Sequence, residues 1–444
     1  MIETIIVFCL ASILGVFTGL LPGFGVMAIM LVSFPYLLFL EPHNVILFYV
    51  IVCSVDQFFS GITAIVFGVP GSSHAVPSSY EGHKLFKEGR GSEAIMYSAI
   101  SSWLLSLFAV ALILCMLPFL FILYKAWNSH VQMIVFSLAT FFILLTSKNG
   151  SILNILLFCL GNLIGWVGYS DFTNSSFLTF DLSLLYGGFP TMVVVTSLFV
   201  VPLIINSYLT QSKTIDFPGV SIDGYKSSFK DILKKYKATL ARSGFLGSLG
   251  GFVPGFSYGM SSIIAYSIEK IYQKRKNTYS QGNLNCLIAS EGANNAGVFT
   301  QLIPLLFLGI PITVGEAVVY NVIESRGYPV TIEWFQSTFT LVIVLFLLSS
   351  TFGLFAAGRY VNFLKVLDGL SISWLYSFVI LFLLSSIFYL GNMQLAGWDH
   401  LILTFCLLPI GIMCYKLDML PLVFGFILHD YLYEVGYRMF LMYF

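Results

Sequence analysis

A glycine-rich motif occurs twice in the chain, as LGVFTGLLPGFG at residues 14–25 and as LGSLGGFVPGFS at residues 246–257. The two copies align without gaps, are identical at six of twelve positions and lie 232 residues apart. In both copies glycine recurs at every fourth position up to a Pro-Gly pair. Glycines with this spacing lie on one face of a helix and let a second backbone approach closely. The proline then ends or breaks that helix.

A second repeated motif follows each copy of the first. Gly68-Val69-Pro70 recurs as Gly309-Ile310-Pro311, which is an offset of 241 residues. Two matches in the same order and at similar offsets indicate a duplicated chain. We therefore predict an N-terminal membrane repeat at 1–209, a cytoplasmic basic linker at 210–242 and a C-terminal membrane repeat at 243–444.

The amino-acid composition indicates the environment in which these repeats lie. Hydrophobic residues make up 58% of the 444 residues and charged residues only 9%, whereas a soluble domain carries about 25% charged residues. A soluble protein, a disordered chain and a nucleic-acid-binding protein are therefore excluded. A membrane span needs about 20 apolar residues. The chain is predicted to be an all-α polytopic membrane protein with about 10–12 transmembrane segments in a lipid bilayer.

Positive charge is concentrated in three segments, the loop 70–93, the linker 210–242 and the run 270–276, which hold 14 of the 21 basic residues. The positive-inside rule places such segments in the cytoplasm, although some of these side chains could instead extend from helix ends to the membrane surface. This charge pattern and the architecture of other transporters predict two inverted repeats with Pro-Gly-broken or re-entrant helices.

The Pro-Gly breaks predict a substrate site. Freed backbone groups are costly in hydrocarbon, so broken helices occur where protein or a water-filled cavity surrounds them. The alternative is an ordinary turn at the membrane surface. Backbone amides, hydroxyls and side-chain amides near the repeated motifs would bind an organic anion. The predicted substrate-binding residues are Pro22, Gly23, Gly25, Ser60, Thr63, Pro70, Gly71, Ser72, Ser73, Pro254, Gly255, Ser257, Asn294, Asn295, Pro311 and Thr313.

Two carboxylates in apolar sequence, Asp56 and Glu291, are predicted to bind the coupling cation, because a charge in the membrane is costly unless it is paired or solvated. Sodium is the favoured cation and a proton the alternative; no other cofactor is expected. A purely structural explanation also exists for each carboxylate. Asp56 could pair with a polar neighbour, and Glu291 could cap a helix N-terminus. His74 is expected to cap or to form a local hydrogen bond.

The sequence lacks several motifs that are typical of enzymes and of ATP-driven transporters. There is no phosphate-binding Gly-x-x-x-x-Gly-Lys-Ser/Thr loop, no nucleophile–base constellation, and no CxxC pair among the seven cysteines. The chain is therefore predicted to be a secondary active transporter rather than an enzyme. The alternative is a passive channel or a scaffold subunit without ion coupling.

The motifs at residues 18–25, 62–71, 291–296 and 303–311 resemble the large membrane subunit of the tripartite tricarboxylate transporters, the TctA family. The resemblance implies a multi-pass permease of the bacterial inner membrane that imports di- or tricarboxylates, driven by a sodium or proton gradient. It also implies two partners, a periplasmic solute-binding protein and a small membrane subunit. Differences from the family pattern concern the substrate rather than the class of transport: Phe177-Leu178-Thr179-Phe180-Asp181 stands in place of Arg-Phe-Thr-Phe-Gly and lacks its arginine, and Glu81-Gly82-His83 stands in place of Asp-Gly-Tyr.

Overall fold

The computed structural model of the chain describes the following residues, together with isolated positions between them: 2–20, 25–68, 72–125, 149–170, 175–190, 196–201, 229–252, 258–308, 313–325, 332–366 and 397–414. These residues belong to two compact units. The first comprises 1–29, 40–122 and 212–372, and the second comprises 30–39, 123–211 and 373–444. The two units are defined by packing alone, so they do not test the predicted boundaries of the repeats.

Helices account for nearly all of the regular structure. In chain order they are α1 (Ile2–Leu20), α2 (Val26–Leu37), α3 (Pro42–Phe67), α4 (Val76–Leu85), α5 (Gly91–Lys125), α6 (Ser151–Gly165), α7 (Ser183–Tyr186), α8 (Phe229–Lys235), α9 (Lys237–Gly251), α10 (Tyr258–Arg275), α11 (Leu284–Leu308), α12 (Val314–Ser325), α13 (Ile332–Val366) and α14 (Gly397–Met413). A short antiparallel hairpin, β1 (Gly168–Ser170) and β2 (Ser175–Phe177), lies in the second unit.

Four described helical segments are long and apolar enough to cross a membrane. They cover residues 2–19, 42–67, 76–122 and 338–357. This confirms the predicted all-α polytopic membrane class. The number of spans and the inversion of the two repeats stay predictions.

The segment 70–93, expected from its charges to be a loop, is mostly helical. A 3₁₀ turn (Ser73–Ala75) leads into α4, and a π-helix (Phe86–Arg90) joins α4 to α5. Gly89, at φ 79°, supplies the kink, because only glycine adopts this backbone conformation without strain. Residues 229–242 of the predicted linker are also helical, in α8 and α9.

The first glycine motif packs α1 against α3. A Cβ added to Gly15 would lie 2.7 Å from Cβ of Val55, and one added to Gly19 would lie 2.7 Å from the backbone nitrogen of Ser60. The glycines therefore allow a backbone approach that any side chain would block, as their spacing predicts.

The second motif packs α9 against α11 in the same register. A Cβ added to Gly247 would lie 2.2 Å from the carbonyl oxygen of Ala293, and one added to Gly251 would lie 2.8 Å from the backbone nitrogen of Gln301. The offset of 232 residues carries Gly19 to Gly251, and the offset of 241 carries Ser60 to Gln301. The two copies of the motif thus make equivalent contacts, which supports the duplication.

The contact at Gly247 predicts a large effect of a small substitution. Gly247→Ala would place a methyl group against backbone that cannot rotate away, so we expect a loss of about 1–3 kcal/mol in stability. Thermal unfolding of the purified chain in detergent measures this loss. Gly187→Ala is the control, since a Cβ there meets nothing within 4 Å and its φ is −78°. Equal unfolding midpoints for both variants would contradict the close approach.

Helix α4 is held in place by one buried carboxylate. Glu81 accepts hydrogen bonds from the hydroxyls of Tyr266 and Tyr279 at 3.1 and 3.0 Å, and from the backbone N–H groups of Gly282 and Asn283 at 2.7 and 2.9 Å. Four donors satisfy the carboxylate and fix α4 to α10 and to the start of α11. This attachment positions Ser78, one turn earlier on α4, against α11.

Candidate functional site

The first carboxylate of the site lies in the middle of α3, which is buried along nearly its whole length. Asp56 accepts a hydrogen bond from the hydroxyl of Ser60, one turn later, at 2.9 Å. The hydroxyl of Ser72, from the segment after α3, lies 3.2 Å from each carboxylate oxygen. A Cβ on Gly25 would lie 3.5 Å from this Ser72 hydroxyl. Gly25, the last residue of the first motif, and Ser72, two residues after the second, therefore lie together near Asp56.

His74 approaches Asp56 from the 3₁₀ turn before α4. Its Nε2 lies 3.8 Å from Oδ2 of Asp56, and its ring lies 5.5 Å from the ring of Tyr258, measured between centroids. The side chain is fully buried, and neither ring nitrogen has a hydrogen-bond partner among the described residues. The predicted local hydrogen bond of the His74 side chain is therefore absent from the described residues, and the backbone carbonyl of His74 instead accepts a long-range hydrogen bond from the Ser262 hydroxyl. The imidazole therefore faces the carboxylate rather than capping a helix.

The second carboxylate, Glu291, lies in the middle of α11. The hydroxyl of Ser78 on α4 donates to its Oε1, and a Cβ on Gly61 would lie 2.7 Å from its Oε2. Gly61 thus makes room for the carboxylate against α3. The alternative role as a helix cap is excluded, because Asn283 caps α11 by accepting hydrogen bonds from the N–H groups of Asn285 and Cys286.

Three amide side chains lie on α11 after Glu291. Asn294, Asn295 and Gln301 are all fully buried. Neither side-chain atom of Asn294 or Gln301 has a hydrogen-bond partner in the described part of the chain, and the same holds for Oδ1 of Asn295. The two asparagines were predicted from the sequence as binding residues, whereas Gln301 was not. A signal was available, since Gln301 follows Asn294 by seven residues and shares its helix face.

Thr313 and Glu316 form a local pair at the start of α12. The N–H of Thr313 donates to Oε2 of Glu316, and the N–H of Glu316 donates to the hydroxyl oxygen of Thr313. This reciprocal pattern is a capping box. The Thr313 hydroxyl also lies 3.2 Å from the hydroxyl of Tyr49 on α3. Thr313 therefore has a structural role in addition to the binding role predicted for it.

The site is rich in oxygen and poor in positive charge. Asp56 and Glu291 form no ion pair with Lys or Arg among the described residues, and the same residues hold no group of three His, Cys, Asp or Glu side chains suited to a transition metal. Carboxylates held only by hydroxyls suit a hard monovalent cation or a proton.

A family model described as the tripartite tricarboxylate transporter TctA family matches residues 5–424. The chain belongs to this family. The TctA family contains membrane components of transporters, so the resemblance of the motifs is confirmed and the chain is a multi-pass membrane protein with a role in transport.

Two curated relatives share about a quarter of their aligned residues with this chain. An uncharacterized 52.8 kDa protein in the TAR-I ttuC' 3' region of Agrobacterium vitis is 26% identical over 310 residues, which cover 69% of this chain and 61% of the relative. An uncharacterized protein of Methanocaldococcus jannaschii, MJ1079, is 26% identical over 313 residues, or 68% of each chain. The match thus spans about three fifths of the Agrobacterium protein.

The structure places the predicted site residues of this TctA-family chain in three groups. Asp56, Ser60, Ser72 and Gly25 lie together, and Glu291 and the two asparagines follow one another on α11. Thr63 and Pro311 are buried, and Thr313 lies in the capping box at the start of α12. The remaining positions lie outside the described residues, or have a side chain that does: Pro22, Gly23, Pro70, Gly71, Ser73, Pro254, Gly255 and Ser257.

Proposed function

We propose that this chain is the permease of a secondary active transporter that imports a small organic anion, a di- or tricarboxylate, across the bacterial inner membrane. A sodium or proton gradient drives the import, and a periplasmic solute-binding protein delivers the substrate to the chain and its small membrane subunit. One observation carries the proposal. Asp56 and Glu291 are fully buried, and each accepts a hydrogen bond from serine while forming no ion pair with a Lys or Arg of the described residues.

In this proposal a bound cation neutralises the negative charge of the buried carboxylates. An unpaired carboxylate in a medium of low dielectric constant is strongly disfavoured, so the two acidic side chains take up a proton or bind a metal cation. At Asp56 the hydroxyls of Ser60 and Ser72 each use their hydrogen toward the carboxylate, which leaves their oxygen lone pairs for a cation. Carboxylate and hydroxyl oxygens are hard ligands, and we propose sodium as the ion.

The anion binds next to the cation. Backbone amides at the helix ends, together with the buried amides of Asn294 and Asn295, would hold its carboxylate groups without a fixed positive charge. A cation at Asp56 attracts the anion, so each ligand strengthens the binding of the other. Ion and substrate would therefore move together.

A passive channel or a scaffold subunit is the second candidate. It would need no cation at Asp56, and the buried carboxylates would then serve only as hydrogen-bond acceptors for serines. The hydrogen bonds from Ser60 and Ser72 fit this role as well. Transport assays separate the two functions.

Uptake into whole cells tests the proposal. A bacterial host without its own carboxylate uptake would express the chain together with its proposed binding protein and small subunit. We expect uptake of at least one labelled di- or tricarboxylate, and we expect this uptake to require the binding protein. Uptake that persists when the sodium and proton gradients are collapsed would favour the channel, and no uptake of any acid in the panel would contradict the proposal.

A further inference from the structure

Gln301, on α11, carries a side-chain amide that is buried inside the protein. Its side chain is fully buried on α11, and neither the amide nitrogen nor the amide oxygen has a partner among the described residues. A buried polar group without a hydrogen bond costs about 1–3 kcal/mol, and such groups are rare in folded proteins. The amide is therefore expected to have a partner that binds from outside the chain.

The predicted duplication offers a reason why this amide has no partner among the described residues. The offset of 241 residues that carries Pro70 to Pro311 also carries Ser60 to Gln301 and Asp56 to Gly297. In the first half, Ser60 donates to Asp56 one turn before it. In the second half, the residue one turn before Gln301 is a glycine, which offers no side-chain partner. The polar group is thus retained at this position while its intramolecular acceptor is missing.

The surroundings of Gln301 connect it with the site. Asn294, two turns earlier, lies on the same face of α11 and also has no partner for either side-chain atom among the described residues. Between them, a Cβ on Gly297 would lie 3.2 Å from Cβ of Tyr258. The ring of Tyr258 packs on His74, which in turn faces Asp56. A series of contacts therefore leads from the two amides to the first carboxylate.

From this geometry we infer that Gln301, with Asn294, is a specificity-determining residue that recognises a hydroxycarboxylate, an inference that rests on the proposed transport of an organic anion. A carboxylate group offers only hydrogen-bond acceptors, and these satisfy the NH₂ group of an amide. The amide oxygen needs a donor, which a hydroxyl next to the carboxylate provides. A hydroxy acid satisfies both amide atoms, whereas the same acid without its hydroxyl leaves the oxygen unpaired.

Malate and succinate are the probes, because they differ by one hydroxyl. Binding of each acid to the purified full-length chain in lipid nanodiscs is measured by calorimetry. We expect the parent chain to bind malate about tenfold more tightly than succinate, as one added hydrogen bond implies. Gln301→Met should remove this preference and leave succinate binding nearly unchanged.

Thermal unfolding without ligand shows whether Gln301→Met destabilises the folded protein. Gln301→Met replaces two unpartnered polar atoms with apolar ones of similar volume, so its unfolding midpoint should equal or exceed that of the parent. Thr300→Val is the control, since the hydroxyl of Thr300 donates only to the carbonyls of Ala296 and Gly297 in its own helix. This variant should keep the preference for malate.

Four results would overturn the inference, and three of them concern the preference and the variant. These are equal affinity of the parent chain for malate and succinate, an unchanged preference in Gln301→Met, and a lower unfolding midpoint of that variant, which would reveal a structural partner. Failure of the parent chain to bind either acid would also overturn it. The whole-cell uptake assay then shows separately whether transport of other carboxylates, and with it the proposed function, still stands.

Discussion

Asp56→Asn is expected to abolish accumulation of substrate against its gradient, while exchange of substrate across the membrane continues. Asparagine has nearly the same shape as aspartate and can accept the hydrogen bonds of Ser60 and Ser72, so the packing of α3 is preserved. It carries no charge, so it neither attracts a cation nor takes up a proton. Because ion–substrate coupling of 1–3 kcal/mol corresponds to about 5- to 150-fold, accumulation should fall by about tenfold or more.

Labelled-substrate uptake into proteoliposomes, with and without an imposed cation gradient, measures this loss. Counterflow exchange in the same vesicles shows that the variant still binds and moves its substrate. Asp399→Asn is the matched control, because Asp399 is an exposed carboxylate in the first turn of α14. Accumulation in Asp56→Asn with the parental dependence on sodium and pH would exclude Asp56 from coupling.

Glu291→Gln is expected to have an effect of similar size for a related reason. The carboxylate is confined between Ser78 and Gly61, and glutamine fills the same volume and can accept the Ser78 hydrogen bond. Only the charge is lost, so folding should be spared and coupling should fail, with accumulation reduced by about tenfold or more. The same vesicles measure this variant.

Glu88→Gln serves as the control for Glu291, because Glu88 is an exposed carboxylate in the π-helix after α4. Loss of exchange together with accumulation in Glu291→Gln would assign Glu291 to substrate binding instead. Wild-type accumulation would reduce Glu291 to a structural partner of Ser78.

Patterns within one helix could be predicted from the sequence. The glycines at every fourth position predicted the close contacts of α1 with α3 and of α9 with α11, because their spacing matches the helical period. The position of Asp56 and Glu291 in apolar sequence predicted their burial. These features depend on neighbours in the chain, which a single sequence displays.

Contacts between distant segments could not be predicted. Ser78 and Glu291 are separated by 213 residues, and no local pattern relates them. The sequence placed Glu81 in a loop, within a stretch that differs from the family motif. In the structure Glu81 lies on α4 and is bonded to two tyrosine hydroxyls of α10 and the segment after it. The role inferred for Gln301 depends on its equivalence with Ser60, which no pattern in the sequence around Gln301 indicates. The Pro-Gly pairs at Pro22 and Pro254, on which the substrate site was first based, lie outside the described residues.

Accumulation in proteoliposomes under one imposed gradient at a time decides whether buried carboxylates couple ion and substrate movement. Vesicles containing the chain, its small subunit and the substrate-loaded binding protein would receive an inward sodium gradient, an inward proton gradient or neither. We predict that substrate accumulates above its equilibrium level only with the sodium gradient, and that Asp56→Asn and Glu291→Gln abolish this rise. Accumulation driven by protons alone would replace sodium as the coupling ion. Equilibration at the same level under all three conditions would contradict ion-coupled transport.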